Sequence, residues 1–450
     1  MTITPWRAGV LVAWLVSLLA WPAGSVQAQS QTQSPPVSLA LEDALARAMG
    51  ASQRLAEARA REAAAEAGVA IRHAADLPQA VATAGFTRTN HIPEFVVPAP
   101  GGGSRVLYPD VPNNYRARID LQWPIYNGGR TDALERAARA EATAAGAEVG
   151  VARADLRFEV SRLYWALVTA RASRDVLERA LTRADTHVRA ARARLDAGLV
   201  PPNDVSSAEA QASRARMLLI EARNQVTSVA SELARLTDIE AGTDIEPSEP
   251  LEAAPLAPAP LGTLVEGALR ARDERRILTA RADAADEQQT AALAGRRPVV
   301  SIAGGADIAR PNPRIFPRVD AWNDSWEAGV NVSWALWDGG RARAEAAQAG
   351  NLALAARARL AEFDSQLGVQ VRQRRLEIES GRAAVQAAGD GVRAATDARR
   401  VLVERYAAGV VDSTDVLDAE FALLQAELDL TRAQAGVRLS EAGLARVLGR

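Results

Sequence analysis

Asp415 and Asp418 stand three residues apart in a stretch of helical composition, so they share one helix face. They lie just past a turn, and Asp204 holds the matching place after an earlier copy of that turn. The chemistry open to such a pair is attraction of cations. If several copies of the chain surround an axis, each position becomes a ring of carboxylates, a device by which pores favour cations. The simpler role is helix capping, because an acid near a helix N-terminus complements the dipole. Asp412, Ser413 and Asn203 sit at the turns themselves and suit that role better.

Other chemistry finds little support. His73, His91 and His187 are scattered, without ligand spacing around them, so surface or packing roles are expected and no metal or cofactor. With no cysteine there is no disulfide, thiolate site or cysteine nucleophile. Gly128-Gly129 closes a strand onto a helix and lacks the phosphate-loop fingerprint. No nucleophile elbow or pocketed acid pair stands out, so the chain reads as a non-enzyme. All 53 basic residues are Arg, but the net charge of −2 gives no case for nucleic acid as a partner.

The elements that must position the carboxylates come from a duplication. Residues 122–239 overlay 333–450 at a constant offset of 211, with no gap. After each Gly-Gly-Arg runs a long heptad pattern. Val149, Leu156, Leu163, Ala170, Leu177, Ala184 and Ala191 form one row, and Val371, Ile378, Val385 and Val392 belong to the copy. A strict seven-residue period over such a length means helices that supercoil on neighbours. The expected first repeat, 29–242, holds helix 39–77, strands 79–89 and 115–126, and helices 130–197 and 203–238. A Pro-rich linker, 243–260, leads to the second, 261–450. There we expect helix 261–297, strands 299–308 and 326–337, and helices 341–408 and 413–448. Helix 130–197 would be about 100 Å long, and the two shorter helices laid end to end would match it.

The strands carry the membrane signal. Residues 78–127 and 298–338 hold 11 of the 17 aromatics beyond residue 28, which concentrates rings where the strands lie. Ala117, Ile119, Leu121, Trp123 and Ile125 alternate with Arg116, Arg118, Asp120, Gln122 and Pro124, giving one apolar and one polar face. Trp326, Ala328, Val330, Val332, Trp334 and Leu336 alternate with Glu327, Gly329, Asn331 and Ser333. Four strands cannot close a barrel, and an open edge cannot face hydrocarbon. The strands must therefore pair with those of other copies. Tyr115, Trp123, Tyr126, Trp326, Trp334 and Trp337 near the strand ends fit interfacial girdles touching membrane lipid. Mixed charges on the polar face predict no strong ion preference there. Residues 1–28 read as a signal peptide, with Arg7, a 14-residue apolar run and Val26-Gln27-Ala28 before the cut.

The chain resembles the TolC-like outer-membrane efflux proteins over about residues 38–450. The resemblance rests on Trp123-Pro124-Ile125-Tyr126-Asn127-Gly128-Gly129-Arg130 and Trp334-Ala335-Leu336-Trp337-Asp338-Gly339-Gly340-Arg341. It rests equally on the turns Ala197-Gly198-Leu199-Val200 and Ala408-Gly409-Val410-Val411. It implies a mainly α protein with a small β part, assembled as a homotrimer. Its 12-stranded barrel in the cell outer membrane would continue as a helical tunnel into the periplasm. It further implies a periplasmic adaptor (membrane fusion protein) docking at Gly198, Leu199, Gly409 and Val410, and an inner-membrane pump behind it. Asp415, Asp418 and Asp204 become the periplasmic gate. The expected function is the exit duct of a tripartite efflux or secretion system. The alternative is a periplasmic coiled-coil adaptor or scaffold. One departure is Val411, where some members carry an Arg that pairs with the first-half Asp. Arg194 and Arg405 are the remaining candidates for that pairing.

Overall fold

A computed structural model describes residues 37–252 and 259–450. The expected signal peptide lies outside the described residues, as do positions 253–258 of the expected linker.

The two copies fold alike. Strand β1 (Val37–Leu39) leads into α1 (Leu41–Ala51) and α2 (Gln53–Ala74). Strands β2 (Gln79–Arg88), β3 (Phe95–Ala99), β4 (Gly103–Tyr108) and β5 (Asn113–Tyr126) follow, then α3 (Arg130–Asp196) and α4 (Pro202–Thr237). The second copy runs from β6 (Ile245–Pro247) through α5 (Leu261–Ala271), α6 (Asp273–Ala294), β7 (Val299–Arg310) and β8 (Asn323–Ser333) to α7 (Arg341–Ala407) and α8 (Ser413–Val447). Helices α3 and α7 are both 67 residues, about 100 Å at the α-helical rise.

The expected helices 39–77 and 261–297 are each two helices. Ser52 adopts an extended conformation, and its hydroxyl accepts from the Leu55 backbone N–H at 3.2 Å, capping α2. Arg272 breaks the second helix at the equivalent place. Its buried guanidinium donates to the Arg446 carbonyl at 2.8 Å, near the end of α8. Leu39, expected as helix, instead pairs in a parallel ladder with Pro247, so the linker region holds a strand. That short ladder, with Tyr164 donating to the Leu39 carbonyl, caps the principal apolar cluster of Leu156, Val160, Leu163, Leu167, Leu233 and Ile245.

The four long strands form one antiparallel sheet in the order β2-β5-β7-β8. The expected strand 326–337 ends at Ser333, because β7 begins opposite it at Val299 and offers nothing beyond to pair with. Between β2 and β5 an extra hairpin, β3 with β4, turns through Gly101 and Gly102 at positive φ. Neither β3 nor β4 is among the strands expected from the sequence.

Each strand meets its long helix through two left-handed glycines, Gly128-Gly129 and Gly339-Gly340. At Gly128 an added Cβ would lie 2.8 Å from Arg297 Cβ and 3.0 Å from the Ala294 carbonyl, whereas Gly339 has open space. Left-handed strain alone costs about 1–2 kcal/mol. Gly128→Ala is therefore expected to lower thermal stability clearly more than Gly339→Ala, by about 1 kcal/mol or more from the added clash. Equal melting temperatures for the two variants would refute this.

Candidate functional site at the hairpin tips and sheet faces

The heptad row on α3 is buried throughout, from Val149 to Ala191. It packs α3 between its own hairpin partner α4 and, from the other half, α6 and α8. The α3–α4 and α7–α8 hairpins end in matched turns. At the first, Gly198 N–H bonds the Leu195 carbonyl at 2.8 Å and Leu199 N–H the Arg194 carbonyl at 2.9 Å. At the second, Gly409 bonds Tyr406 at 3.0 Å and Val410 bonds Arg405 at 2.9 Å. This is the Schellman arrangement, which needs glycine at φ 71° and 74°. Its usual apolar contact back onto the helix is not made here, since Leu199 is 72% and Val410 68% exposed.

Asp415 and Asp418 are exposed on the first turns of α8, with Val416 and Ala419 buried between and behind them. Asp204 is half-buried on the first turn of α4 and accepts from the Asn203 side chain at 3.3 Å. Arg194 does not supply the pairing considered for it. It donates to the Ala407 carbonyl at 2.8 Å and lies 4.1 Å over the Tyr406 ring. Nor does Asp412 cap through its side chain. Ser413 turns inward, and its hydroxyl meets His187 Nε2 at 3.0 Å in a buried contact.

That contact belongs to a polar seam joining the halves. Arg183 bonds Glu420 and Glu427, each at 3.0 Å, and Arg399 bonds Glu420 from α7. Sequence reasoning missed this seam, because the pairs that cross it, from Arg183 and His187 to α8, lie more than 220 residues apart. The one signal was His187 itself, three residues after Ala184 and so on the buried side of a heptad. Burial pushes the His187 pKa down; Glu420 and Asp204 oppose this and Arg194 adds to it. The folded pKa is thus below the ordinary value, and the unfolded chain takes up the proton first as pH falls. Stability from this site is complete above the ordinary His range and is lost as pH drops through it, by at most about 1.4 kcal/mol per pH unit per protomer. Melting temperatures of wild type and His187→Gln should converge from about pH 8 to about pH 5. A gap independent of pH would contradict this.

The sheet is two-faced. Register places Ala82, Ile119, Ala306 and Trp326 on one row of the apolar face, and Trp123, Ile302 and Val330 on another. Tyr115 to Trp123 and Trp326 to Trp334 each span eight residues, about 26 Å along a strand. A bulge after Pro124 sets Tyr126 opposite Val300, on that same face. The indoles of Trp123 and Trp334 each donate at 3.1 Å to helix-end carbonyls, those of Asp76 and Arg296, while Trp337 is almost fully exposed beyond the sheet. On the polar face Arg116 bonds Asp307 at 3.0 Å, and Arg118 bridges Asp120 at 2.7 Å and Glu327 at 2.5 Å. These charges neutralise one another across three strands.

Long paired helices ending in capped turns, joined to a sheet with an apolar face and a charged face, define a channel protein of the outer-membrane type. The outer membrane efflux protein family matches residues 44–237 and 267–450, and the chain belongs to that family. Its fold is shared with VceC of Vibrio cholerae at 22% identity and a TM-score of 0.76, over 91% of this chain and 96% of that one. It is likewise shared with the CmeC outer membrane channel of Campylobacter jejuni at 16% identity and a TM-score of 0.76, over 91% and 85%. The MtrE outer membrane channel of Neisseria gonorrhoeae, solved in its open state, gives 19% and 0.75, over 91% and 88%. No match emerges among curated proteins.

Proposed function

We propose that this outer-membrane efflux protein works as a homotrimeric passive exit duct, receiving cargo through a periplasmic adaptor from an inner-membrane pump. The cargo classes the architecture suits are small molecules, metal ions and polypeptides. The observation that carries the reading is a one-sided deficit of partners. Helices α3 and α7 are equal in length, yet α3 has 21 buried residues and α7 has seven. Val369 and Leu376 on α7 stand open to solvent. The sheet order β2-β5-β7-β8 and the helix neighbours α2-α3-α6-α7 leave the same two sides free. Joining β8 and α7 of one protomer to β2 and α2 of the next satisfies strand edges and helix faces in one operation. Three copies give twelve strands, enough to close a barrel around a lumen.

In that barrel the apolar face meets lipid, with Tyr115 at one girdle and Trp123, Tyr126, Trp334 and Trp337 at the other, while register sets Trp326 on the row of Ile119 between them. The Arg116, Arg118, Asp120, Asp307 and Glu327 face lines the lumen. At the far end Asp415 and Asp418, with Asp204 in a lesser part, ring the periplasmic aperture, and Leu199 and Val410 present the adaptor-docking turns. Membrane fractionation with gel analysis tests the assembly. A heat-modifiable oligomer in the outer-membrane fraction supports it, and a periplasmic monomer refutes it.

A further inference from the structure

We propose that the periplasmic aperture opens along the seams between protomers, while the α3–α8 seam inside each protomer stays pinned by His187–Ser413 and by Arg183 with Glu420 and Glu427. This rests on the trimeric reading above. In a three-fold ring of two matched hairpins per chain, six seams alternate. Three are α3–α8 contacts within a protomer. Three are the equivalent α7–α4 contacts between one protomer and the next.

The offset of 211 shows what each tie becomes at the second kind of seam. His187 corresponds to Ala398, and Ser413 to Pro202. Arg183 corresponds to Ala394, and Glu427 to Arg216. Alanine has no polar side-chain atom, and proline has neither hydroxyl nor N–H. Of the acids only Glu420 has a counterpart, Glu209, and that is already held by Arg192 within its own hairpin at 3.1 Å. The within-protomer seam thus carries a buried His–Ser contact and a two-acid arginine clasp. At the corresponding positions its repeat-related twin carries Ala398, Pro202 and Ala394, while Arg216 and Glu209 already pair within their own hairpin, with Asp185 and Arg192. Separating the first strands buried polar groups; the second has no counterpart of the His–Ser contact or of the arginine clasp to strand. His187 and Arg183 are positioning residues. They fix the first turn of α8, two residues before Asp415, to the first-half hairpin, so that each protomer's carboxylates move with its own α3–α4 pair.

Because the chain has no cysteine, engineered pairs can test this cleanly. Ala398→Cys with Pro202→Cys spans the between-protomer seam, and His187→Cys with Ser413→Cys the within-protomer seam. Under oxidant, the first pair is expected to give covalent trimers and to abolish voltage-driven openings in planar bilayers, with recovery on reduction. The second is expected to leave openings intact. Should cysteine at 187 prevent assembly, Arg183→Cys with Glu427→Cys, bridged by a short bismaleimide, replaces it on the same seam. Openings lost through the within-protomer bridge, retained through the between-protomer bridge, or a between-protomer pair that does not cross-link would each overturn the proposal. Ion preference of the Asp415→Asn, Asp418→Asn variant reads the aperture itself without touching either seam, so a failure of that reading is seen separately.

Discussion

Asp415→Asn combined with Asp418→Asn should abolish cation preference and raise conductance through the tip. The substitution keeps shape and helix position and removes only charge. Both residues are exposed in the protomer, on the face of α8 that its buried Val416 does not use. In the proposed trimer each position makes a ring of three carboxylates, six charges within the first two turns of the three α8 helices. Like charges so close attract cations strongly and hold them at low ionic strength. Single-channel recording should show the cation-to-anion permeability ratio falling toward unity, and block by divalent cations weakening about tenfold or more. Asp204 is half-buried and engaged with Asn203, so Asp204→Asn should have a smaller effect. Unchanged preference and conductance in the double variant would remove the ring model.

Leu199→Asp with Val410→Asp is expected to block export while the trimer assembles normally. Both side chains follow a left-handed glycine and project from the hairpin ends, where the Schellman geometry is made by backbone atoms alone. The turns therefore survive the change. An adaptor that covers both residues gains about 1.5 kcal/mol or more from each. Losing both weakens docking by about 3 kcal/mol, roughly a hundredfold, before the cost of burying a carboxylate is added. Adaptor co-purification and export should both fail, with melting temperature and oligomer size unchanged. Normal export by this variant would argue against docking at the tips.

Much of this architecture was legible in the residues. A gapless duplication fixed two long helices of equal length, and the heptad row from Val149 to Ala191 named the buried side of α3 in advance, whereas on α7 Val371 and Ile378 are buried and Val385 and Val392 only half-buried. Period-two alternation around Ile119 and Val330 likewise marked the strands and their apolar face. What escaped reading depended on tertiary contact. Ser52 and Arg272 interrupt helices of good propensity because each finds a hydrogen-bonding role that a continuous helix would deny it. The β1–β6 ladder joins segments more than 200 residues apart, and β8 stops where its partner strand starts. At the tip, Arg194 was one of two arginines expected as a partner for Asp204, because Val411 cannot serve. Instead the Tyr406 ring and the Ala407 carbonyl, more than 210 residues away in the chain, hold it. The His187–Ser413 contact was invisible for the same reason.

One protomer leaves a strand edge and a helix face open, and in the proposed trimer two further copies close them. Native mass determination of the protein extracted from outer membranes in detergent tests it most directly. A particle of three protomers, retaining its β content on dilution, is the predicted result. A monodisperse single chain that stays folded in water without detergent would contradict it.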